Sequence, residues 1–414
     1  MMLSEIDLDR IQRRLDALWE IGKTDDGGVT RLAYSDEETE AIEYICEELD
    51  ETFDVRSDHL GNVFATRDPD AERSLFLGSH LDSVYNGGRL DGSLGVVVAL
   101  EAIEAAYDEG EPEIPPTLVI FRGEESSRFG QWAVGSRGAL GQLTVEDLSA
   151  TDQSNVPLWQ AMQSQGLTPE NFSEPTIDMD RIAGFLETHI EQGRVLDEAD
   201  DHLGVVSSIR GPVRHRVTVE GDYDHSGATP MGLRRDAIAG GAEMVTAIET
   251  IGTEAAVEGD LVATVGEFSP DGSAINKVCG EVTFSVDVRS NDESYRDEIE
   301  ARILDRIRDI ADERNLDVTT SLVDRSAPVE LDTEMQELLT EIVSSLDVPY
   351  REIPSGGGHD AMNVQHAGVP TGMVFVPSVD GISHSPKEET SPEAVREVTA
   401  VFTRAILEGP PKHE

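Results

Sequence analysis

The segment 77–92, LGSHLDSVYNGGRLDG, ends an apolar run at a histidine and then carries two aspartates into a glycine-rich turn. Two more apolar runs, 118–121 and 373–376, stand a few residues before Glu124 and His384. In open α/β sheets, ligands bind beyond the carboxyl ends of the strands, and these side chains occupy such positions. The pattern therefore predicts an α/β fold with a polar site at one edge of its sheet.

The residue types at this predicted site are those that bind metal ions. Imidazole and carboxylate ligands suit zinc, manganese or cobalt. Asp82 follows His80 closely enough to hydrogen-bond the ring nitrogen that does not bind metal. Glycines around Asp91 permit a tight turn, so that its carboxylate can point back and bridge two ions. The combination predicts a two-metal site, whereas each residue alone would more often cap a helix or lie in a solvated turn.

Glu124 and Glu125 are adjacent acids that directly follow an apolar run. Neighbouring side chains of an extended segment point to opposite sides, so one carboxylate can bind metal while the other serves as a base. The alternative is a solvated acidic pair, which is common in a chain with 83 acidic residues.

Two further groups of residues suit ligand binding. His225 and His359 lie in glycine-flanked loops that favour close approach of a ligand, although either could be an ordinary loop histidine. Arg289 ends an alternating strand and Asn276 lies in the loop before it. Arginine offers a planar fork of donors that suits a carboxylate, to which asparagine can add a hydrogen bond; the alternative is a solvated arginine at the rim of the strand.

The net charge of −51 excludes several kinds of partner. Such a chain repels nucleic acid and anionic membranes. Hydrophobic residues make up 38%, which is enough for a normal core, so the acidity belongs to the surface. Because self-repulsion at low salt should loosen the compact state, we expect a salt-loving source organism.

The chain has neither a long apolar segment nor a basic and apolar amino terminus. We therefore expect a cytoplasmic protein. Cys46 and Cys279 are too few for a disulfide framework and are expected to be packing residues.

The length of 414 residues predicts two domains. Between about residues 211 and 324 the pattern predicts strand, helix, strand (261–268), strand, helix, strand, which is the order of a ferredoxin-like unit. Runs that end in ligand-type residues lie on both sides of it. We therefore predict a catalytic domain, 1–210 with 325–414, into which 211–324 is inserted. Ser35 and Glu38 also predict a capping box at the start of an early helix.

Taken together, the motifs resemble the two-metal aminoacylase and carboxypeptidase superfamily, and within it the hydantoinase/carbamoylase branch. The resemblance covers nearly the whole chain. The segments that carry it are GSHLDSVYNGGRLDG, GEESSRFG, ETHIEQG, HSGATPM, SGGGHDAM and VPSVDGISHSPKE. The sequence departs from the family pattern at Leu90, Ser126 and Cys279, where phenylalanine, glycine and proline are common.

The resemblance implies a role for each candidate residue. Two divalent ions, zinc or manganese with cobalt as a further candidate, would be bound by His80, Asp91, Glu125, His189 and His384, with Asp91 bridging. Glu124 would be the general base, Asp82 the partner of His80, and His225 a catalytic group that in the family reaches the active site of the other subunit. The residues facing the substrate would be Gln192, His225, Asn276, Arg289, Gly358 and His359. The inserted domain would act as a lid and form a homodimer interface.

The activity that the resemblance implies is metal-dependent hydrolysis of the C–N bond of N-carbamoyl-L-amino acids, small ureido acids. The alternatives are an allantoate amidohydrolase, a dipeptidase or aminoacylase of the same superfamily, and a metal-binding protein that has lost catalysis. Retention of Glu124 beside five potential ligands argues against the last of these.

Overall fold

A computed structural model describes residues 6–411 of the chain. It divides into two compact units. The first comprises the described residues up to Ser207 together with those from Leu331 onward, and the second is Ser208–Glu330. The predicted insert, 211–324, lies inside the second unit, which begins and ends a few residues outside it.

The strands are, in chain order, β1 (Asp54–Ser57), β2 (Val63–Thr66), β3 (Ser74–His80), β4 (Pro116–Phe121), β5 (Ile182–Ile190), β6 (Leu203–Ile209), β7 (Gly211–Glu220), β8 (Asp224–His225), β9 (Val262–Thr264), β10 (Phe268–Pro270), β11 (Lys277–Val278), β12 (Glu281–Ser290), β13 (Asp317–Arg325), β14 (Val329–Glu330), β15 (Tyr350–Ser355) and β16 (Thr371–Val376). The α-helices are α1 (Leu8–Glu20), α2 (Asp36–Glu48), α3 (Ser93–Glu109), α4 (Val134–Ala139), α5 (Val145–Ser149), α6 (Leu158–Ser164), α7 (Val195–Ala199), α8 (Ala237–Glu258), α9 (Glu293–Glu313), α10 (Thr333–Ser345), α11 (Asp360–His366) and α12 (Pro392–Glu408). Among the helices described, none combines the length and apolar character that crossing a membrane requires.

The larger sheet has nine strands in the order β1-β2-β4-β3-β5-β16-β6-β14, and β15 pairs with β6. Its centre is parallel, because β3 pairs in parallel with both β4 and β5, and β5 pairs in parallel with β16. The remaining pairs with known register, at both margins, are antiparallel. The four parallel strands are buried along nearly their whole length, as expected for a sheet covered on both faces. This mixed α/β sheet confirms the predicted fold class.

The second unit contains a five-stranded sheet in the order β10-β12-β7-β13, with β9 also paired to β12. On β12, buried and partly exposed residues alternate along the strand, and the buried set packs with one face of α8 and α9. The strand predicted over 261–268 is instead two short pieces, β9 and β10, which both pair with β12. Gly266 lies in the gap between them, where glycine weakens a strand.

The predicted capping box at α2 forms only in part. Ser35 accepts from the Glu38 N–H at 3.2 Å, as predicted. The Glu38 carboxylate, however, accepts from the N–H of Tyr34 at 2.6 Å and of Gly123 at 3.0 Å, and pairs with the buried Arg122 guanidinium. Leaving a buried arginine unpaired costs more free energy than leaving one N–H group at a helix end uncapped. The ion pair therefore replaces the second half of the capping box.

Replacing Glu38 by alanine should strongly destabilise the first unit. The substitution leaves the buried Arg122 without its carboxylate, and breaking such a pair from one side costs about 3–5 kcal/mol of unfolding free energy. Urea unfolding followed by circular dichroism measures the loss. Glu37→Ala, at an exposed position of the same helix turn, should stay within about 0.5 kcal/mol of the parent. Equal losses for both variants would show that the ion pair is unimportant.

The acidic surface should make stability depend on salt. Raising KCl from about 0.1 M to about 1 M shortens the Debye length from about 10 Å to about 3 Å and so screens repulsion between surface carboxylates. We therefore expect the melting temperature to rise steeply over this range, measured by differential scanning fluorimetry. A melting temperature that stays constant or falls would contradict the expectation of a salt-adapted surface.

Candidate active site

The predicted metal-binding residues and the predicted base lie at or beyond the carboxyl ends of the four parallel strands, at one edge of the larger sheet. His80 is the last residue of β3, His189 is next to last on β5, and the Glu124–Glu125 pair follows β4. His384 lies in the loop beyond β16. Because β4, β3, β5 and β16 are neighbours and run parallel, their carboxyl ends meet at the same edge.

Five of these side chains form two groups that share Asp91. His80, Asp91 and His189 make one group, and Asp91, Glu125 and His384 make the other; within each group the ligand atoms lie within 4.8 Å of one another. Oδ1 of Asp91 is 3.0 Å from Nε2 of His189 and 3.6 Å from Nε2 of His80. Oδ2 of Asp91 is 3.3 Å from Nε2 of His384. Each Asp91 oxygen therefore faces a different group.

Hydrogen bonds outside the cluster orient two of the histidines. Nδ1 of His80 lies 3.1 Å from the main-chain carbonyl oxygen of Asp82, and Nδ1 of His189 lies 3.0 Å from that of Ile190. A carbonyl oxygen only accepts, so Nδ1 carries the proton in both rings. When the ring is neutral, Nε2 therefore carries the lone pair, and it lies close to Asp91, which is the arrangement that metal-binding histidines need.

The residues at this edge fit divalent cations. Nε2 of His80 and Oε1 of Glu125 are buried, and neither has a hydrogen-bond partner within the described part of the chain. Buried polar atoms without partners are costly, and these two residues each belong to one of the groups that share Asp91. Three imidazoles and two carboxylates form a donor set typical of zinc, manganese or cobalt.

Asp82 contacts both His80 and the turn that carries the two glutamates. Its carboxylate lies 3.3 Å from Nδ1 of His80, close to the predicted contact. The same carboxylate accepts from the main-chain N–H groups of Glu124 and Glu125, at 2.9 Å each. Asp82 therefore fixes the turn from which the two glutamates project. Oε2 of Glu124 lies 3.9 Å from Nε2 of His80.

The environment of the cluster shifts the pKa values of its carboxyl groups in opposite directions. Burial would raise the pKa of Asp91, but the charge and hydrogen bond of His189, together with His384 and His80, hold it well below its usual value. Burial, with Asp91 nearby, raises the pKa of Glu125 to about 8. Burial also raises the pKa of Glu124 well above its ordinary value, against the opposing effect of His80. The hydrogen bond to Asp91 raises the pKa of His384 to about 9. Any bound cation would favour the ionised carboxylates.

Gln192 and Gly358 lie beside this cluster, in the first unit. Nε2 of Gln192 donates to Oδ2 of Asp91 at 2.8 Å. A Cβ atom added at Gly357 would lie 2.9 Å from Oε1 of Gln192, and one added at Gly358 would lie 3.2 Å from Cζ3 of Trp132. The glycines therefore allow the chain to pass closely between these two side chains.

His359 is buried rather than open to solvent. Its ring centroid is 4.7 Å from that of His189 and 5.6 Å from that of Phe375, and its Nε2 lies 2.9 Å from Oγ of Ser355. Burial and the neighbouring His189 lower the pKa of His359 well below its usual value, which keeps the ring neutral. His359 therefore packs directly against the ring of His189, beside the group of ligand-type residues around Asp91.

The other predicted ligand-contact residues belong to the second unit. β8 and β11 pair antiparallel, and the Ser226 N–H donates to the Asn276 carbonyl oxygen at 3.0 Å, so His225 and Asn276 lie close together. Nδ1 of His225 accepts from the N–H groups of Gly227 and Ala228. Nε and Nη2 of Arg289 donate to the carboxylate of Asp287, at 3.0 and 2.9 Å.

The sequence did not predict that Glu388 and Glu187 would be buried carboxylates at the site. Oε2 of Glu388 accepts from the N–H groups of Leu90 and Asp91, at 2.7 and 3.0 Å. The carboxylate of Glu187 accepts from Oγ of Ser79 at 2.8 Å and from the Ala361 N–H at 2.9 Å. Both stand in quoted motifs, but in a chain with 83 acids nothing distinguished them from solvated residues.

Comparison with known proteins identifies the family. A family model described as "Peptidase family M20/M25/M40" matches residues 76–408. The chain belongs to the M20/M25/M40 peptidase family. It is 37% identical over 391 residues to an N-carbamoyl-L-amino acid amidohydrolase of Geobacillus stearothermophilus, covering 93% of this chain and 94% of that protein. It is 33% identical over 388 residues to an allantoate amidohydrolase of Escherichia coli (strain K12), covering 92% and 93%.

A solved structure indicates to which branch of the M20/M25/M40 family the chain is similar. The crystal structure of an amidase of the hydantoinase/carbamoylase family from Burkholderia multivorans superposes with a TM-score of 0.88 at 33% identity, covering 97% of this chain and 98% of that one. The expected relationship to this branch and the expected class, a hydrolase of amide C–N bonds, are confirmed. Metal binding agrees with the family and with the two ligand groups.

Glu388 offers a test of how the site is held. Glu388→Ala should lower metal affinity about 10–100-fold, the usual effect of losing a group that orients a ligand. It removes the acceptor of the Asp91 N–H, so the shared carboxylate loses its fixed position. Competition with a chromophoric chelator measures the affinity, and circular dichroism checks folding.

The matched control is Glu389→Ala, at the exposed neighbouring position. It should bind metal as the parent does. Glu388→Gln keeps one carbonyl acceptor and should show an intermediate loss. Parent-like affinity in Glu388→Ala would mean that Asp91 is held without this carboxylate.

Proposed function

We propose that this protein is a two-metal amidohydrolase that cleaves N-carbamoyl-L-amino acids to the amino acid, CO2 and ammonia. One divalent ion would be held by His80, Asp91 and His189, and the other by Asp91, Glu125 and His384. The observation that carries the proposal is the position of Asp91, whose two oxygens face two separate groups of ligand atoms. The donor set suits zinc or manganese, and also cobalt.

Glu124 is the general base in this proposal. Two divalent cations at such a site lower the pKa of water and stabilise negative charge on a carbonyl oxygen. Glu124 stands beside His80 on a turn that Asp82 fixes, and it belongs to neither ligand group. Its carboxylate takes the proton of the water that attacks the ureido carbon and returns that proton to the leaving nitrogen.

His225 supplies a hydrogen-bond donor. Because its Nδ1 accepts from two main-chain N–H groups, the neutral ring carries its proton on Nε2. An Nε2–H group can stabilise the oxyanion that forms as the carbonyl is attacked. We propose that Arg289 and Asn276 bind the substrate carboxylate, with Gln192 and Gly358 beside the ureido group. A substrate carboxylate would have to share the Arg289 guanidinium with Asp287.

Allantoate is the second candidate substrate, because a relative at 33% identity is named an allantoate amidohydrolase. Both compounds join a ureido group to a carboxylate and would use the same cluster. The proposal also includes a homodimer, formed through the inserted unit acting as a lid, in the cytoplasm; these points rest on the family resemblance and, for the location, on the sequence.

A substrate panel decides between the candidates. The protein is loaded with manganese or zinc in concentrated KCl, and ammonia release is measured from N-carbamoyl-L-amino acids and from allantoate in parallel. Dipeptides are followed by amine release. Preference for carbamoyl amino acids supports the proposal, and preference for allantoate favours the second candidate. Cleavage of dipeptides alone contradicts both.

Glu124→Gln should abolish nearly all turnover while leaving metal binding intact. Loss of a general base typically costs about 10²–10⁴-fold in rate. The amide is of similar size, and Glu124 lies outside both ligand groups, so metal content measured by atomic emission should equal that of the parent. Glu125→Gln is the contrasting variant and should lose metal as well as activity. An active Glu124→Gln enzyme would disprove the assignment of the base.

A further inference from the structure

Trp132 belongs to the loop that carries Glu124 and Glu125 and lies near a second loop that carries site residues. The Ala133 N–H donates to the Glu124 carbonyl oxygen at 2.8 Å, and the Val134 N–H donates to that of Gly123 at 2.9 Å. The loop that leaves β4 at Glu124 therefore returns beside it at Ala133. Ala133 adopts a left-handed backbone conformation (φ 48°), which turns the chain sharply after Trp132.

The indole also reaches the loop that precedes His359. A Cβ atom at Gly358 would lie 3.2 Å from Cζ3 and 3.5 Å from Cε3 of Trp132, so the benzo edge of the indole covers the Gly358 backbone. The adjacent Gly357 lies close to Oε1 of Gln192, whose Nε2 donates to Asp91. Trp132 is thus linked to the shared carboxylate through the two glycines and the Gln192 side chain.

Trp132 is partly exposed, as are Gly358 and Gln192. Its benzo carbon atoms neither donate nor accept hydrogen bonds. An apolar group placed against them would lose contact with water favourably, whereas a ureido group there would lose hydrogen bonds to water without replacement. A partly exposed aromatic side chain near a polar cluster can discriminate between ligands by the polarity of one substituent.

We propose that Trp132 forms the wall that receives the amino-acid side chain of the substrate. This inference rests on the proposed function and narrows it to a substrate class: N-carbamoyl-L-amino acids with aliphatic or aromatic side chains. Allantoate carries a second ureido group where these substrates carry the side chain. The indole therefore disfavours allantoate.

The test compares three substrates that differ only in this substituent: N-carbamoyl-L-leucine, N-carbamoylglycine and allantoate. The metal-loaded parent should prefer the leucine derivative. Trp132→Gln should lower kcat/KM for the leucine derivative about ten-fold, change that for N-carbamoylglycine less than about two-fold, and raise the ratio of allantoate to leucine derivative about ten-fold or more. Trp132→Phe restores an apolar ring and should keep most of the parent's preference.

Trp159→Gln is the matched control, because Trp159 is an exposed tryptophan on α6. It should leave all three ratios unchanged. If Trp132→Gln changes kcat/KM for the three substrates by one common factor, or if Trp132→Phe behaves like it, the indole is only structural and the inference fails. A parent that prefers allantoate also overturns it. A parent that hydrolyses none of the three compounds overturns the proposed function itself, which is a different result.

Discussion

Burial of several carboxyl groups in one small region is the constraint on which the site depends. An ionised carboxylate in a protein interior is costly unless it is hydrogen-bonded or paired, and like charges add repulsion. Several such groups are buried at the edge of the larger sheet in the described part of the chain. Among them are Asp82, Asp91, Glu125, Glu187 and Glu388.

Main-chain N–H groups compensate much of this negative charge, and in doing so they shape the loops. Asp82 accepts from the N–H groups of Glu124 and Glu125, Glu388 accepts from the turn that carries Asp91, and Glu187 accepts at the start of α11. The hydrogen bonds that offset the cost of burying these carboxylates therefore also fix the turns that carry the candidate metal ligands. Among the described residues, Oε1 of Glu125 and Nε2 of His80 are two of the buried atoms that remain without a hydrogen-bond partner, and a bound cation would satisfy both.

The sequence predicted the parts of this arrangement that follow from strand ends. His80, Asp91, Glu125 and His384 lie where the apolar runs stop or turn, and the structure brings them together with His189. The alternating pattern of β12 and the helices packed on it were equally predictable. These features are local in sequence or follow from the rule that parallel strands end at one edge.

The rest depended on long-range contacts that no local pattern reveals. Glu388 bonds to residues almost 300 positions away, and Glu38 bonds to Gly123 rather than completing its capping box. The position of Trp132 near the site depends on its proximity to Gly358, which belongs to a loop distant in sequence. The strand predicted over 261–268 divides because pairing with β12, not local propensity, decides where β9 and β10 form.

The acidic surface and the acidic site obey different physics. Surface carboxylates interact through water, so dissolved salt screens their repulsion over a few ångströms. Buried carboxylates are screened far less, because mobile ions do not enter the interior. Their charge has to be balanced by groups fixed in place: N–H donors, imidazoles and the bound cations that we propose. A chain can therefore acquire a net charge of −51 without altering the site, since dissolved salt, which screens surface charges, has little influence on the cluster around Asp91.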